Sequence, residues 1–207
     1  MGSLLVASAA DAGTTTVTRA EVFAFQAAGD VGGGVLTPGD TFPPSKPAFA
    51  RLKRKADRLD LDIRTSGLPA GAYTVWWIIF NNPAGCTHGC GDDDFFNPDA
   101  QVSVFWAAGG VVATNGIGRF DATYNVGDSL GTPGTQVILD AGVIDPLVAE
   151  VHNLIKYHGS ASSDPDTLYE QTHTILGSCE VGANALILPA PFGLNCFDPQ
   201  GVIFPLP

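Results

Sequence analysis

Basic residues are scarce in this chain. Ten Lys and Arg stand against twenty-one Asp and Glu in 207 residues, a formal net charge of −11. A nucleic-acid binder needs a basic footprint over its phosphate-facing surface, so no nucleic-acid partner is expected of so acidic a chain. Charge of either sign is thin as well: charged residues make up 15% of the chain, against about 25% in ordinary domains. Together with 45% hydrophobic residues, this excludes a coiled coil and a charge-rich disordered chain. No G-X-Y period exists, which excludes collagen. Long apolar runs are missing too. The stretch from Val75 to Phe80 is far short of the ~20 residues that a membrane helix needs.

Complete catalytic motifs are likewise absent. There is no G-x-S-x-G, no Walker loop and no G-x-G-x-x-G, and Gly32-Gly33-Gly34 lacks the lysine of a phosphate loop. Gly127-Asp128-Ser129-Leu130 spells the GDSL string of a hydrolase family, but it sits mid-chain among turn residues. None of the four histidines has an aspartate three positions before it, so the serine has no base with its orienter. The four glutamates, Glu21, Glu150, Glu170 and Glu180, and the scattered aspartates define no carboxylate pair by spacing.

Glycine and proline are plentiful, with 25 and 15 copies. The four cysteines fall into two local pairs, Cys86 with Cys90 and Cys179 with Cys196. Neither gap matches the C-x2-C knuckle of a zinc site. Two disulfides that each staple one loop are expected, which places the chain outside a reducing cytosol: secreted, extracellular or on a cell surface. Residues 1–13 read as a flexible terminus or the remnant of a secretory signal, without the positive start and full apolar core of a whole one. Residues 14–207 read as a single domain.

Strand signals dominate that domain. Thr14 to Phe25 is rich in β-branched and aromatic residues and runs into a glycine-rich connection from Gly29. Ala50 to Thr65 reads as two strands around Lys55-Ala56-Asp57. In the second, Leu59, Leu61 and Ile63 share one face, and Asp60, Asp62 and Arg64 the other. Tyr73 to Phe80 is apolar on both faces and predicts a central strand. Gln101–Trp106 and Val111–Ala113 flank Gly109-Gly110 as a plausible hairpin. Arg119–Tyr124, Gln136–Leu139 and Val202–Phe204 complete an all-β reading: an antiparallel β-sandwich, Ig-like or jelly-roll-like. Residues 145–158 admit two readings. Asp145-Pro146 and Gly159 are helix start and stop signals, but the all-β context favours a strand. That strand would place Glu150, His152, Leu154, Lys156 and His158 on one face.

AEVHNLIKYHG from Ala149, YEQTHTILGSC from Tyr169, NCFDPQ from Asn195 and GLPAGAYTVWWIIFNNPAGC from Gly67 resemble segments of uncharacterised secreted bacterial proteins. The resemblance covers about half the chain. It implies secretion, strands and disulfides, and supplies no activity.

Two metal-ligating groups are candidates. If residues 159–166 join two antiparallel strands and His158 pairs with Thr167, then His152 lies directly opposite His173. Cross-strand Cβ atoms are about 4.5–5.5 Å apart, so the two imidazoles with Glu150 form a set suited to zinc, copper or iron. The competing reading is a pair of ordinary sheet histidines. In the loop after Cys90, Asp92, Asp93, Asp94, Asn97 and Asp99 form an oxygen-rich set of the kind calcium takes; a solvated acidic loop is the competing reading.

Six of the ten basic residues lie between Arg51 and Arg64. That window nets +3 and the remainder −14, an asymmetry able to steer one subunit onto another's acidic face. Two functions follow as expectations. One is a non-catalytic extracellular structural or binding protein, such as a surface or filament subunit. It would associate with itself or with another extracellular protein, its N-terminal strand completing a neighbour's sheet. The other is a transition-metal protein built on His152 and His173.

Overall fold

In the computed structural model, residues 14–24, 42–45, 47–130, 136–177, 179 and 196–206 are described. The expected terminus at 1–13 and the glycine-rich connection at 29–35 lie outside them. The elements run β1 (Thr16–Ala20), β2 (Phe23–Ala24), β3 (Phe49–Lys55), β4 (Arg58–Thr65), β5 (Gly71–Phe80), β6 (Val102–Val112), β7 (Gly118–Asn125), β8 (Val137–Asp140), β9 (Glu150–Tyr157), α1 (Pro165–His173) and β10 (Phe197–Phe204). They build two antiparallel sheets, a four-stranded one in the order β1-β3-β4-β7 and a six-stranded one in the order β2-β10-β9-β5-β6-β8. The fold is a mostly β sandwich with two disulfides, Cys86–Cys90 and Cys179–Cys196.

Alternation places the core. Leu52, Leu59, Leu61 and Ile63 from the four-stranded sheet meet Val75, Trp77, Ile79, Phe105, Val151, Ile155, Val202 and Phe204 from the six-stranded one. Each such side chain contributes roughly 1.5–3 kcal/mol by leaving water. The six-stranded sheet carries a second apolar cluster on its other face, with Trp76, Ile78, Phe80, Val102, Val104 and Leu154 under Ile175. β5 is therefore buried at all ten positions, between β9 and β6. The expectation of a central strand holds.

Two local readings are corrected, at Gly109-Gly110 and at residues 165–173, and the one left open at residues 145–158 is decided for the strand. Gly109 and Gly110 do not turn a hairpin but lie inside β6, paired with Thr74 and Tyr73. A Cβ on Gly109 would overlap the carbonyl of Thr172, so this glycine lets α1 approach the strand. Asp145-Pro146 does begin a helical turn, with the Asp145 side chain accepting from the Leu147 amide at 2.9 Å. The turn stops at Ala149, and residues 150–157 become β9, as favoured. The strand wins because Val151, Asn153 and Ile155 face the core between β5 and β10. Finally, residues 165–173 form a helix, not a strand. Asp164 caps it by accepting from the Thr167 amide at 2.9 Å, and Pro165 occupies the first turn.

Candidate functional site

The helix at 165–173 removes the strand register on which the His152–His173 pair depended. β9 pairs with β5 and β10, so His152 lies opposite Ile78 and Ile203. Its Nε2 is 2.7 Å from Glu150 Oε1, and its ring packs on Phe80 with centroids 5.0 Å apart. His173 ends α1, stacked between Trp106 at 5.2 Å and Tyr169 at 4.1 Å. Glu150 and His152 thus meet as expected, but His173 does not join them as a close ligand group among the described residues.

In the acidic loop, Asp94 is buried and its carboxylate is already engaged. It accepts from the Thr87 amide at 3.0 Å, the Thr87 hydroxyl at 3.1 Å, Asn97 Nδ2 at 3.2 Å and the Gly91 amide at 3.3 Å. These hydrogen bonds, Asn97 first, hold its carboxyl below the usual carboxylate range against the opposing effect of burial. Asn97 Oδ1 accepts from the Asp99 amide at 3.0 Å. Asp94 and Asn97 are therefore the ties of the loop, while Asp93 and Asp99 are exposed. Beside the loop, an open groove of about 560 Å³ runs along Phe95, Phe96, Pro98, Leu139 and Ile144 next to β8. The GDSL string is a turn after β7: Asp128 Oδ2 accepts from the Asn125 amide at 2.9 Å, and Gly127 takes φ 88°.

The outer face of the six-stranded sheet holds a buried polar cluster. His158 Nε2 lies 2.8 Å from Thr74 Oγ1, which also accepts from Trp76 Nε1 at 2.8 Å. His158 Nδ1 lies 3.4 Å from Cys179 Sγ, and Lys156 Nζ is 3.3 Å from Asp198 Oδ1. Burial, then the Lys156 charge, pushes the imidazole down to about 3 despite a hydrogen bond at Gly177, so it is neutral near pH 7. The ligand atoms of His158, Cys179 and Cys196 lie within 4.8 Å of one another. As they stand, the two sulfurs form a disulfide rather than the thiolates that metals bind, so the group is a clamp. The face composition of β9 was legible in its alternation. Its burial was not, because α1 and the segment after it supply the cover.

The outer face of the four-stranded sheet is the opposite case: open, flat and charged. Arg19 and Val17 from β1, Phe49, Arg51, Lys53 and Lys55 from β3, Arg58, Asp60, Asp62 and Arg64 from β4, and Arg119, Asp121 and Thr123 from β7 all point outward. Seven of the ten cations of the chain share this face. Ion pairs link Arg58 to Asp60 at 2.6 Å, and Arg64 to Asp62 at 2.8 Å and to Asp121 at 3.5 Å. Among the described residues, Arg19, Arg51, Lys53, Lys55 and Arg119 have no acidic partner within 4.0 Å. Backbone pairing sets Arg51 opposite Asp62 and Lys53 opposite Asp60, but also like charges opposite each other: Arg19 with Arg51, Lys55 with Arg58, Arg64 with Arg119, and Asp62 with Asp121. Such opposition is unfavourable.

Sequence reasoning found the basic window but placed no role on Arg54, which points inward. Its guanidinium donates to the carbonyls of Pro146 at 3.2 Å, Ala149 at 2.7 Å, Phe204 at 3.2 Å and Pro205 at 3.1 Å, joining β3 to the ends of β9 and β10. The signal was present, since Ala50, Leu52 and Arg54 alternate on one face. No helix among the described residues is long and apolar enough to cross a membrane. Comparison of the chain with protein-family models, with curated proteins and with solved structures finds no match.

Proposed function

We propose that this is a non-catalytic structural or binding protein of an extracellular or cell-surface setting, which self-associates by exchanging its N-terminal strand. The observation that carries the reading is the position of β1. It forms one edge of the four-stranded sheet, exposes Val17 and Arg19, and sets Arg19 against Arg51 across the strand pair. β2 follows as a two-residue edge of the other sheet, paired with β10 only at Phe23 and Ala24. An edge unit that pairs on one side only is suited to leave β3 and pair with the β3 of a neighbour, where it finds the same hydrogen bonds. The two disulfides support the setting.

The test is molar mass by light scattering for three proteins: the full chain, a deletion of residues 1–28, and a Val17→Cys/Lys53→Cys variant. The last pair lies directly opposite and, oxidised after refolding at high dilution so that the bond forms within one chain, ties β1 to its own β3. The full chain is expected to assemble, while the deleted and the tied proteins stay monomeric. Equal mass in all three overturns the exchange.

A further inference from the structure

Opposite the basic face, across the whole sandwich, lies a layer with the reverse charge. It consists of the loop at 83–99 and α1 with its flanks at 159–177, both packed on the outer face of the six-stranded sheet. Residues 83–99 contain Asp92, Asp93, Asp94 and Asp99 and no Lys or Arg; residues 159–177 contain Asp164, Asp166 and Glu170 and no Lys or Arg. Asp93, Asp99, Asp164, Asp166 and Glu170 are exposed. After Arg64, Arg119 and Lys156 are the chain's only two cations, and Lys156 is buried. The molecule is thus charged oppositely on its two broad sides.

The geometry points to head-to-tail docking, in which the basic face of one copy takes the acidic layer of the next. This rests on the assembly proposed above and names the surfaces that the assembly joins. Charge complementarity selects the occupant. Among the described residues five cations of this face have no acidic side chain within 4.0 Å. Arg51 and Lys53 face Asp62 and Asp60 across the strand pair, but Arg19, Lys55 and Arg119 face other cations, a repulsion within the face that an acidic partner relieves. Val17 and Phe49, 52% and 41% exposed, give the same face apolar area for a protein partner. A long polyanion fits less well, because beyond this one face it meets a chain whose remaining charge is strongly negative. The two surfaces are different, so the contact is heterologous; repeated, it produces a ring or an open filament.

The experiment is sedimentation velocity on the full chain, at about 20 mM and about 500 mM NaCl, where the screening length falls from roughly 20 Å to about 4 Å. It is repeated on Arg51→Glu/Arg119→Glu, on Asp166→Lys/Glu170→Lys, and on an equimolar mixture of the two. High salt and each reversed variant alone should weaken association at least tenfold, and the mixture should restore it, because the reversed face then meets a reversed layer. Association unchanged by salt and by both variants overturns the inference. If that association is still abolished by tying β1 to β3, strand exchange stands without this contact. If association follows charge but ignores the tie, the inference stands and strand exchange fails. Monomers throughout, with the basic face retained on immobilised sulfated polysaccharide and the Arg51→Glu/Arg119→Glu variant not retained, overturn the second copy as occupant.

Discussion

Arg54 concentrates four backbone acceptors on one side chain. Burial lowers its guanidinium to about 10, partly offset by Glu150, so it remains charged near pH 7. Arg54→Met leaves the carbonyls of Pro146, Ala149 and Phe204 without this donor in the interior, and that of Pro205 at its margin. An orphaned buried acceptor costs about 1–3 kcal/mol. Urea unfolding is expected to show a loss of about 3 kcal/mol or more, and Arg54→Lys should recover only part of it, since an ammonium lacks the fork that reaches two strand ends. His158 makes a prediction of opposite character. Its folded pKa lies far below the ordinary 6.5, so between these values the unfolded chain holds a proton that the folded chain refuses. Stability is complete above about pH 6.5 and falls on acidification, with a limiting slope of about 1.4 kcal/mol per pH unit. His152, lowered chiefly by burial, adds to the same window. His158→Gln keeps a partner for Thr74, and should flatten the urea midpoint between pH 6.5 and 4.5 relative to the parent. An unchanged slope would refute the neutral, buried imidazole.

Among the elements, α1 depends on a glycine far away in sequence. Gly109→Ala pushes against the Thr172 backbone, and overpacking of this kind costs roughly 1–3 kcal/mol. The helix should lift from β6, breaking the 2.8 Å bond from Trp106 Nε1 to the Thr172 carbonyl and the stack of Trp106 on His173. Near-ultraviolet circular dichroism reads this as loss of the tryptophan signal, with the far-ultraviolet strand signal kept. The same contact explains what the chain made legible and what it hid. β3, β4 and β5 were readable because alternation and apolar runs report burial by neighbours close in sequence. Gly109-Gly110 reads locally as a turn; only the packing of residues 63 positions later makes it strand. The helix itself was announced by Asp164-Pro165-Asp166, a cap, a first-turn proline and an acid at the positive end, and the all-β pattern around it outweighed that signal. The loss of the His152–His173 pair follows directly, since cross-strand proximity requires two strands. The disulfide pairing was legible because each cysteine has one near neighbour in sequence, and the charged window was legible as composition. Its convergence with Arg19 and Arg119 required the sheet order.

At the scale of the whole molecule, the two broad sides are built for different surroundings, one open and cationic, the other a covered face under an acidic layer. The strand order has a consequence of another kind. β10, residues 197–204, lies between β9 and β2, so Phe23 pairs with Gly201 across most of the chain. The six-stranded sheet therefore cannot close until residues 197–204 have been synthesised. β2 has no partner until the final strand emerges, and the contact that joins them is among the most distant in sequence that the protein makes. Such contacts set slow folding, because a large loop is closed before any pairing rewards it. The chain spends that interval with β1 already paired to β3 and β2 alone waiting, an edge open to pairing with another chain.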